Sequence, residues 1–163
     1  MAYVKGLVSV CMLCYNHEKY ITECIRSVWN NDYKNVEIIG EVYIGSNVTI
    51  DSFTKIIGPV IINNNVEISS NVLIRPNTII GSDVKIGHGS EIKNSIIMNG
   101  AKVATNVFVG DSIVGYKTRL GSGTITTNRR FDQHAIRPHD YITKESIDSN
   151  LMFFGAIIGD ESR

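Results

Sequence analysis

Isoleucine recurs every six residues through the middle of this chain: Ile44, Ile50, Ile56, Ile62, Ile68, Ile74, Ile80, Ile86 and Ile92. Two residues before each stands Val42, Val48, Thr54, Val60, Val66, Val72, Thr78, Val84 or Ser90, all but the last β-branched. Six is a multiple of the two-residue strand period, so each isoleucine and the residue two before it point the same way from a short strand. Three residues after the first eight isoleucines come Asn47, Phe53, Pro59, Asn65, Asn71, Asn77, Asp83 and Gly89. Most of these are types that tolerate left-handed backbone angles in tight turns. Three strand–turn units, about 18 residues, then close one triangular coil with the isoleucines stacked inside. Successive coils pair as parallel strands about 4.8 Å apart. The repeat predicts a parallel β-solenoid without fixing its hand.

The phase breaks after Ile92. Met98 continues it weakly, and the next inward positions read as Phe108, Val114 and Leu120, with an expected loop near Gly100–Asn106. Insertions in a solenoid map to one face, often the binding face.

The first forty residues follow other rules. Leu7–Cys14 reads as a buried strand and Val36–Ile39 as a second. Between them Glu18–Asn31 has a helical pattern, with Tyr20, Ile21, Cys24, Ile25, Val28 and Trp29 on one face and Asn16 as N-cap. The expected division is a β-α-β cap at 1–40, the repeat at 41–128, and a looped excursion with the start of a further coil at 129–163. An open solenoid end exposes unpaired edges and core side chains, so a cap is needed there.

Composition removes several classes. Lys plus Arg and Asp plus Glu number 16 each among 163 residues, so no bulk nucleic-acid binding is expected. No run of apolar residues is long enough for a membrane span. The apolar stretch Gly6–Cys14 lacks a small-residue cleavage site after it and reads as a strand, not a signal peptide. Three cysteines, Cys11, Cys14 and Cys24, are too few for a disulfide framework and fit a reducing cytoplasm. Cys11 and Cys14 lack a second ligand pair for zinc, and no metal is expected.

The hexapeptide pattern resembles the left-handed parallel β-helix family, and the left hand is what that resemblance implies. The fold class expected is therefore all-β: a left-handed parallel β-helix, a hexapeptide-repeat solenoid, with a small N-terminal β-α cap. The string Val8–Ile39 resembles the first βαβ unit of family 2 glycosyltransferases, but Gly40-Glu41-Val42 leads straight into the repeat. No acidic pair follows to hold a metal and a nucleotide diphosphate.

From about Glu41 onward the chain resembles the C-terminal β-helix of bifunctional sugar-1-phosphate nucleotidylyltransferases/acetyltransferases. The matching strings are Arg75-Pro76, Glu91-Ile92-Lys93, Val109-Gly110-Asp111-Ser112, Gly121-Ser122-Gly123-Thr124-Ile125-Thr126 and Asn128. The resemblance implies an acyltransferase-type domain of sugar-nucleotide metabolism. It would take acyl-CoA, such as acetyl-CoA, and acylate a sugar phosphate or nucleotide sugar as part of a homotrimer. Arg75 and Lys93 match basic positions that hold the sugar phosphate, and Asn128 matches a polar substrate contact. The departures are Thr105 at the general-base histidine, Phe108 at a tyrosine and Arg119 at an asparagine. A threonine cannot take a proton from an amine near neutral pH. His88 sits in a Gly-His-Gly turn, and His134 and His139 lie in the excursion, so no catalytic residue is assigned. The chain stops as a new coil begins at Phe154–Asp160, where later coils of the resembling enzymes supply much of the coenzyme A groove. The alternative reading is a catalytically silent domain that trimerises, binds ligand and serves a nucleotidylyltransferase supplied elsewhere.

Overall fold

The computed structural model describes residues 36–139 and 142–163. The expected strand Leu7–Cys14, the helix Glu18–Asn31 and the cysteines lie outside the described residues. Those described form sixteen short strands and no helix. The strands assemble into three parallel sheets, the walls of a triangular solenoid.

The first sheet contains Glu37–Ile39, Lys55–Ile57, Leu73–Ile74, Glu91–Lys93 and Phe108–Gly110. The second contains Val42–Ile44, Val60–Ile62, Thr78–Ile80, Ile96–Ile97, Ile113–Val114 and Ile157–Ile158. The third contains Thr49–Ile50, Glu67–Ile68, Lys85–Ile86, Lys102–Val103 and Arg119–Leu120. The expected strand at Val36–Ile39 is present as Glu37–Ile39. It pairs with Lys55–Ile57 and so belongs to the first coil.

All nine repeat isoleucines are buried, and so are the residues two before them, except Val42, which is partly buried at the first coil. Each isoleucine sits on its equivalent one coil away, as Ile56 does on Ile74 and Ile68 on Ile86. The core is thus a set of apolar columns parallel to the axis. The turns follow the expected chemistry. Asn47, Phe53, Asn65, Asn71, Asn77, Asp83 and Gly89 all have positive φ, from 55° to 69°. Phe53 is the outlier in kind, because a bulky side chain rarely adopts that conformation. Pro59, whose ring fixes φ, follows a cis peptide bond instead. The turn amides also form ladders: Asn47 Nδ2 donates to Asn65 Oδ1 at 3.2 Å, and Asn65 Nδ2 to Asp83 Oδ1 at 3.1 Å.

The phase change differs from the expectation. The coil offset drops from 18 residues to 17 at Asn94–Ser95, just after Ile92. The inward positions then run Ile97, Val103, Val109, Val114, Leu120 and Thr126. Val114 and Leu120 are inward as read. Met98 and Phe108 are not: Met98 is exposed, and Phe108 is half-buried beside the inward Val109. A corner shortened by one residue flips the strand parity, so each side chain moves to the opposite face. No loop leaves the solenoid at Gly100–Asn106, where Lys102–Val103 pairs regularly on both sides. The excursion lies later. Ile113–Val114 pairs with Ile157–Ile158, and Tyr116 N donates to Asp160 Oδ1 across 44 residues.

Candidate functional site

The candidate site forms where the first sheet turns toward the second. Arg75 follows the inward Ile74, and Lys93 follows the inward Ile92 one coil on. Arg75 N donates to Ile92 O at 2.8 Å, so the two cations stand in one column on adjacent coils, as the 18-residue spacing implies. Each meets a carboxylate. Arg75 Nη1 donates to Glu91 Oε1 at 2.9 Å, and Lys93 Nζ to Asp111 Oδ2 at 3.3 Å.

Asn94, Asp111 and Asn128 stack at the next corner, 17 residues apart. Asn94 and Asp111 take the left-handed conformation, with φ of 46° and 51°. The Asp111 side chain is only 6% exposed. An anion so placed must be compensated, and three donors do it: Lys93 Nζ, Asn94 Nδ2 and Asn128 Nδ2. Asp111 therefore joins Lys93 to Asn128, two of the three sequence-derived site residues. Arg75 lies one coil away and is tied to Glu91.

The excursion leaves after Asn128 and returns against the same corner. Phe154 N donates to Asn128 O at 3.0 Å, Gly155 N to Asp111 O at 2.9 Å and Ala156 N to Ser112 Oγ at 3.0 Å. A Cβ on Gly155 would stand 2.1 Å from both Gly110 O and Ser112 Oγ, so only glycine fits there. This docking brings the Phe153 ring over Lys93, with Nζ 4.5 Å from its centroid, and Arg129 Cζ lies 5.5 Å from the same centroid. The corner thus holds three cations, Arg75, Lys93 and Arg129, against two carboxylates, Glu91 and Asp111. One unit of positive charge is left over, which suits an anionic ligand. Sequence reasoning passed over Asp111 and Phe153 as site residues. Asp111 was within reach, since it sits in a matching string one short coil after Asn94. Phe153 had no such signal, because its neighbours are set by the return of a long loop.

Thr105 lies at a different corner, between the third and first sheets, in a column with Ser70, His88 and Ser122. Its Oγ1 donates to Ser122 Oγ at 3.0 Å, and His88 Nδ1 lies 3.0 Å from Ser70 Oγ. Thr105 and His88 are thus equivalent positions on adjacent coils, with Asn106 N donating to His88 O. The excursion histidines are exposed. His134 Nδ1 lies 2.8 Å from Asp132 O, and His139 Nδ1 lies 3.5 Å from Ser146 Oγ. The Arg130 guanidinium donates to Asp132 and holds that carboxyl well below the usual carboxylate range. Among the described residues, no three His, Cys, Asp or Glu side chains gather as metal ligands would. Among them too, no helix is long and apolar enough to cross a membrane.

Known proteins show the same two-part pattern. A glycosyl transferase family 2 match covers residues 9–39, where the N-terminal string pointed. The Bifunctional protein GlmU of Methanococcus aeolicus is 45% identical over 73 residues, 45% of this chain and 17% of that protein. The bifunctional sugar-1-phosphate nucleotidylyltransferase/acetyltransferase of Sulfurisphaera tokodaii is 38% identical over 129 residues, 79% of this chain and 32% of that protein. The chain therefore spans a third or less of the length of these relatives. Among solved structures, PerB from Caulobacter crescentus, crystallised with CoA and GDP-perosamine, is 18% identical. Its TM-score is 0.47 over 59% of this chain and 52% of that one. The longest family match runs over residues 56–162, from the second coil through the site corner and the excursion. By that match, which covers well over half of its length, the chain belongs to the GMPPB C-terminal domain family.

Proposed function

We propose that this chain is a hexapeptide-repeat, acyltransferase-type domain of sugar-nucleotide metabolism that binds a sugar phosphate or nucleotide sugar. The observation that carries the reading is the corner where Lys93, Asp111 and Asn128 meet beneath Phe153, with Arg75 one coil away. Its surplus cation would meet the phosphate, and Asn128 would orient the acceptor. Acyl-CoA is the co-substrate that the related bifunctional nucleotidylyltransferase/acetyltransferase suggests. Thr105 favours a second reading for the chain by itself, that of a ligand-binding and assembly domain with little acyl transfer. At the base position stands a threonine, whose hydroxyl donates to Ser122 Oγ. The cytoplasm is the compartment that the cysteine usage supports.

Binding separates this reading from a scaffold without a ligand. Titration calorimetry with glucosamine 1-phosphate should show weak binding by the native chain. Arg75→Ala should weaken it about tenfold or more, because a charge-assisted contact to phosphate contributes roughly 1.5–3 kcal/mol. Equal affinity in the two proteins would remove Arg75 from the site.

The homotrimer draws support from one wall. Outward positions of the second sheet form a continuous apolar column of Tyr43, Ile61, Ile79, Ile96, Ile113 and Ile157. All but Ile113 are exposed. The other two walls carry charged residues at their outward positions. A flat apolar wall of this length fits a second copy of the chain, as exposed patches of this kind mark association surfaces. Ile61→Lys combined with Ile79→Lys should leave the fold intact and convert trimer to monomer in sedimentation velocity at micromolar concentration. A native chain that sediments as a monomer would rule out the assembly.

A further inference from the structure

The third wall carries a charge pattern that the sugar-phosphate site does not use. Its outward column reads Thr49, Glu67, Lys85, Lys102 and Arg119, each directly beside the next. Arg119 N donates to Ser162 O at 2.8 Å, the same offset by which Lys102 N donates to Thr118 O beside Arg119. Arg163 therefore continues the column. Lys85 is satisfied by Glu67, with Nζ 2.7 Å from Oε1. Among the described residues, no side-chain carboxylate lies within ion-pair distance of Lys102 or Arg119. Strands in a sheet lie about 4.8 Å apart, and like charges directly opposite one another repel. Lys102 and Arg119, stacked with no paired side-chain carboxylate, are unfavourable in the free protein and suit an anion that spans two neighbouring coils.

Small residues stand beside the column. Two residues after Lys85, Lys102 and Arg119 come Gly87, Ala104 and Gly121, and Gly87 packs against the next coil so closely that a Cβ there would stand 2.6 Å from Ala104 O. The strip leads to the Thr105–Ser122 hydroxyl pair. A ligand whose anionic part rests on Lys102 and Arg119 can therefore lie flat along the wall toward Thr105.

We propose that Lys102 and Arg119, extended by Arg163, bind a diphosphate group. One phosphate would rest on each of two adjacent coils, and the remainder of the ligand would follow the small-residue strip. Each guanidinium and ammonium offers several donors to phosphate oxygens. Two sources carry this chemistry, a nucleotide sugar and an acyl-CoA, and both fit the column equally. The site is on a different wall from Arg75 and Lys93, so it stands or falls separately from the sugar-phosphate reading.

The test is titration of the full chain with inorganic pyrophosphate, with inorganic phosphate as comparison. Pyrophosphate should bind at least tenfold more tightly than phosphate. Lys102→Ala combined with Arg119→Ala should abolish that preference, whereas Lys85→Ala should retain it. Thermal melts supply a second measure. Removing a stacked like charge should leave the melting temperature of the double variant equal to or above that of the native chain, and pyrophosphate should raise the native value by more than that of the variant. Coenzyme A and UDP-glucose then identify the source, by which of the two displaces pyrophosphate at lower concentration. Equal binding of phosphate and pyrophosphate by the native chain, or a preference for pyrophosphate that survives the double variant, would overturn the proposal.

Discussion

Ile68→Asp should unfold the solenoid. Ile68 is 2% exposed at the centre of a column, between Ile50 and Ile86 on the coils either side. A carboxylate there would face the isoleucines of both neighbouring coils. Burying an unpaired ionised group costs many kcal/mol; in practice the group protonates, and the variant still loses several kcal/mol. Deleting the isoleucine packing adds roughly 2–5 kcal/mol. The sum approaches the total stability of an ordinary domain, about 5–15 kcal/mol. In a solenoid each coil is held mainly by its neighbours, so a break at mid-stack separates two halves that are each short of coils. Circular dichroism should show loss of strand signal at 25 °C. Met98→Asp is the matched control. The six-residue period, continued past Ile92, puts Met98 inside, whereas the one-residue shortening at Asn94–Ser95 leaves it 42% exposed. That variant should change stability by no more than about 0.5 kcal/mol. If Met98→Asp unfolds the protein and Ile68→Asp does not, the register is wrong.

This pair of variants also marks how far the sequence was legible. The period from Ile44 to Ile92 specified the strands, the inward side chains and the turn angles, because in a parallel stack one short pattern determines all three. It ceased to be informative where one residue was lost. A deletion of one is invisible as a gap but inverts strand parity, and the apolar residues on both sides, Ile96 and Ile97, Met98, Phe108 and Val109, offered two consistent phases. The choice was made by coil geometry, which a linear pattern does not contain. The candidate site divides in the same way. Arg75 and Lys93 share a column because 18 residues make a coil. Their counter-ions Glu91 and Asp111 come from the same local arithmetic and could have been read from it. The Phe153 ring over Lys93 could not, since its place depends on Gly155 docking against Gly110 and Ser112 after a long detour.

Thr105→His should create acetyl transfer in a chain that otherwise shows little. The resembling enzymes place their general base at this position, and removing such a base costs about 10²–10⁴ in rate. The local structure is suited to the change. Thr105 is exposed at a corner and touches Ser122 Oγ through its own hydroxyl at 3.0 Å. One coil below, the same column holds a histidine with a serine at its Nδ1, His88 against Ser70 at 3.0 Å. In that pair the serine stands on the preceding coil, whereas Ser122 stands on the coil after Thr105, so an imidazole at position 105 would meet its serine from the opposite side. If that serine hydroxyl accepts from Nδ1, Nε2 is left free to take a proton, and an imidazole with a pKa near ~6.5 is largely neutral at pH 7.5. Coenzyme A release from acetyl-CoA, with glucosamine 1-phosphate as acceptor, should rise at least about a hundredfold over the native chain. The gain should follow a single ionisation between about pH 6 and 7 and be absent at pH 5. It should survive His88→Ala, which separates the introduced imidazole from the native one a coil away. Robust turnover by the native chain would instead move the search to His134 and His139 on the excursion. No gain from Thr105→His, with glucosamine 1-phosphate still bound as tightly as before, would mean that the scaffold lacks more than a proton acceptor. The ligand-binding and assembly reading would then be the one that stands.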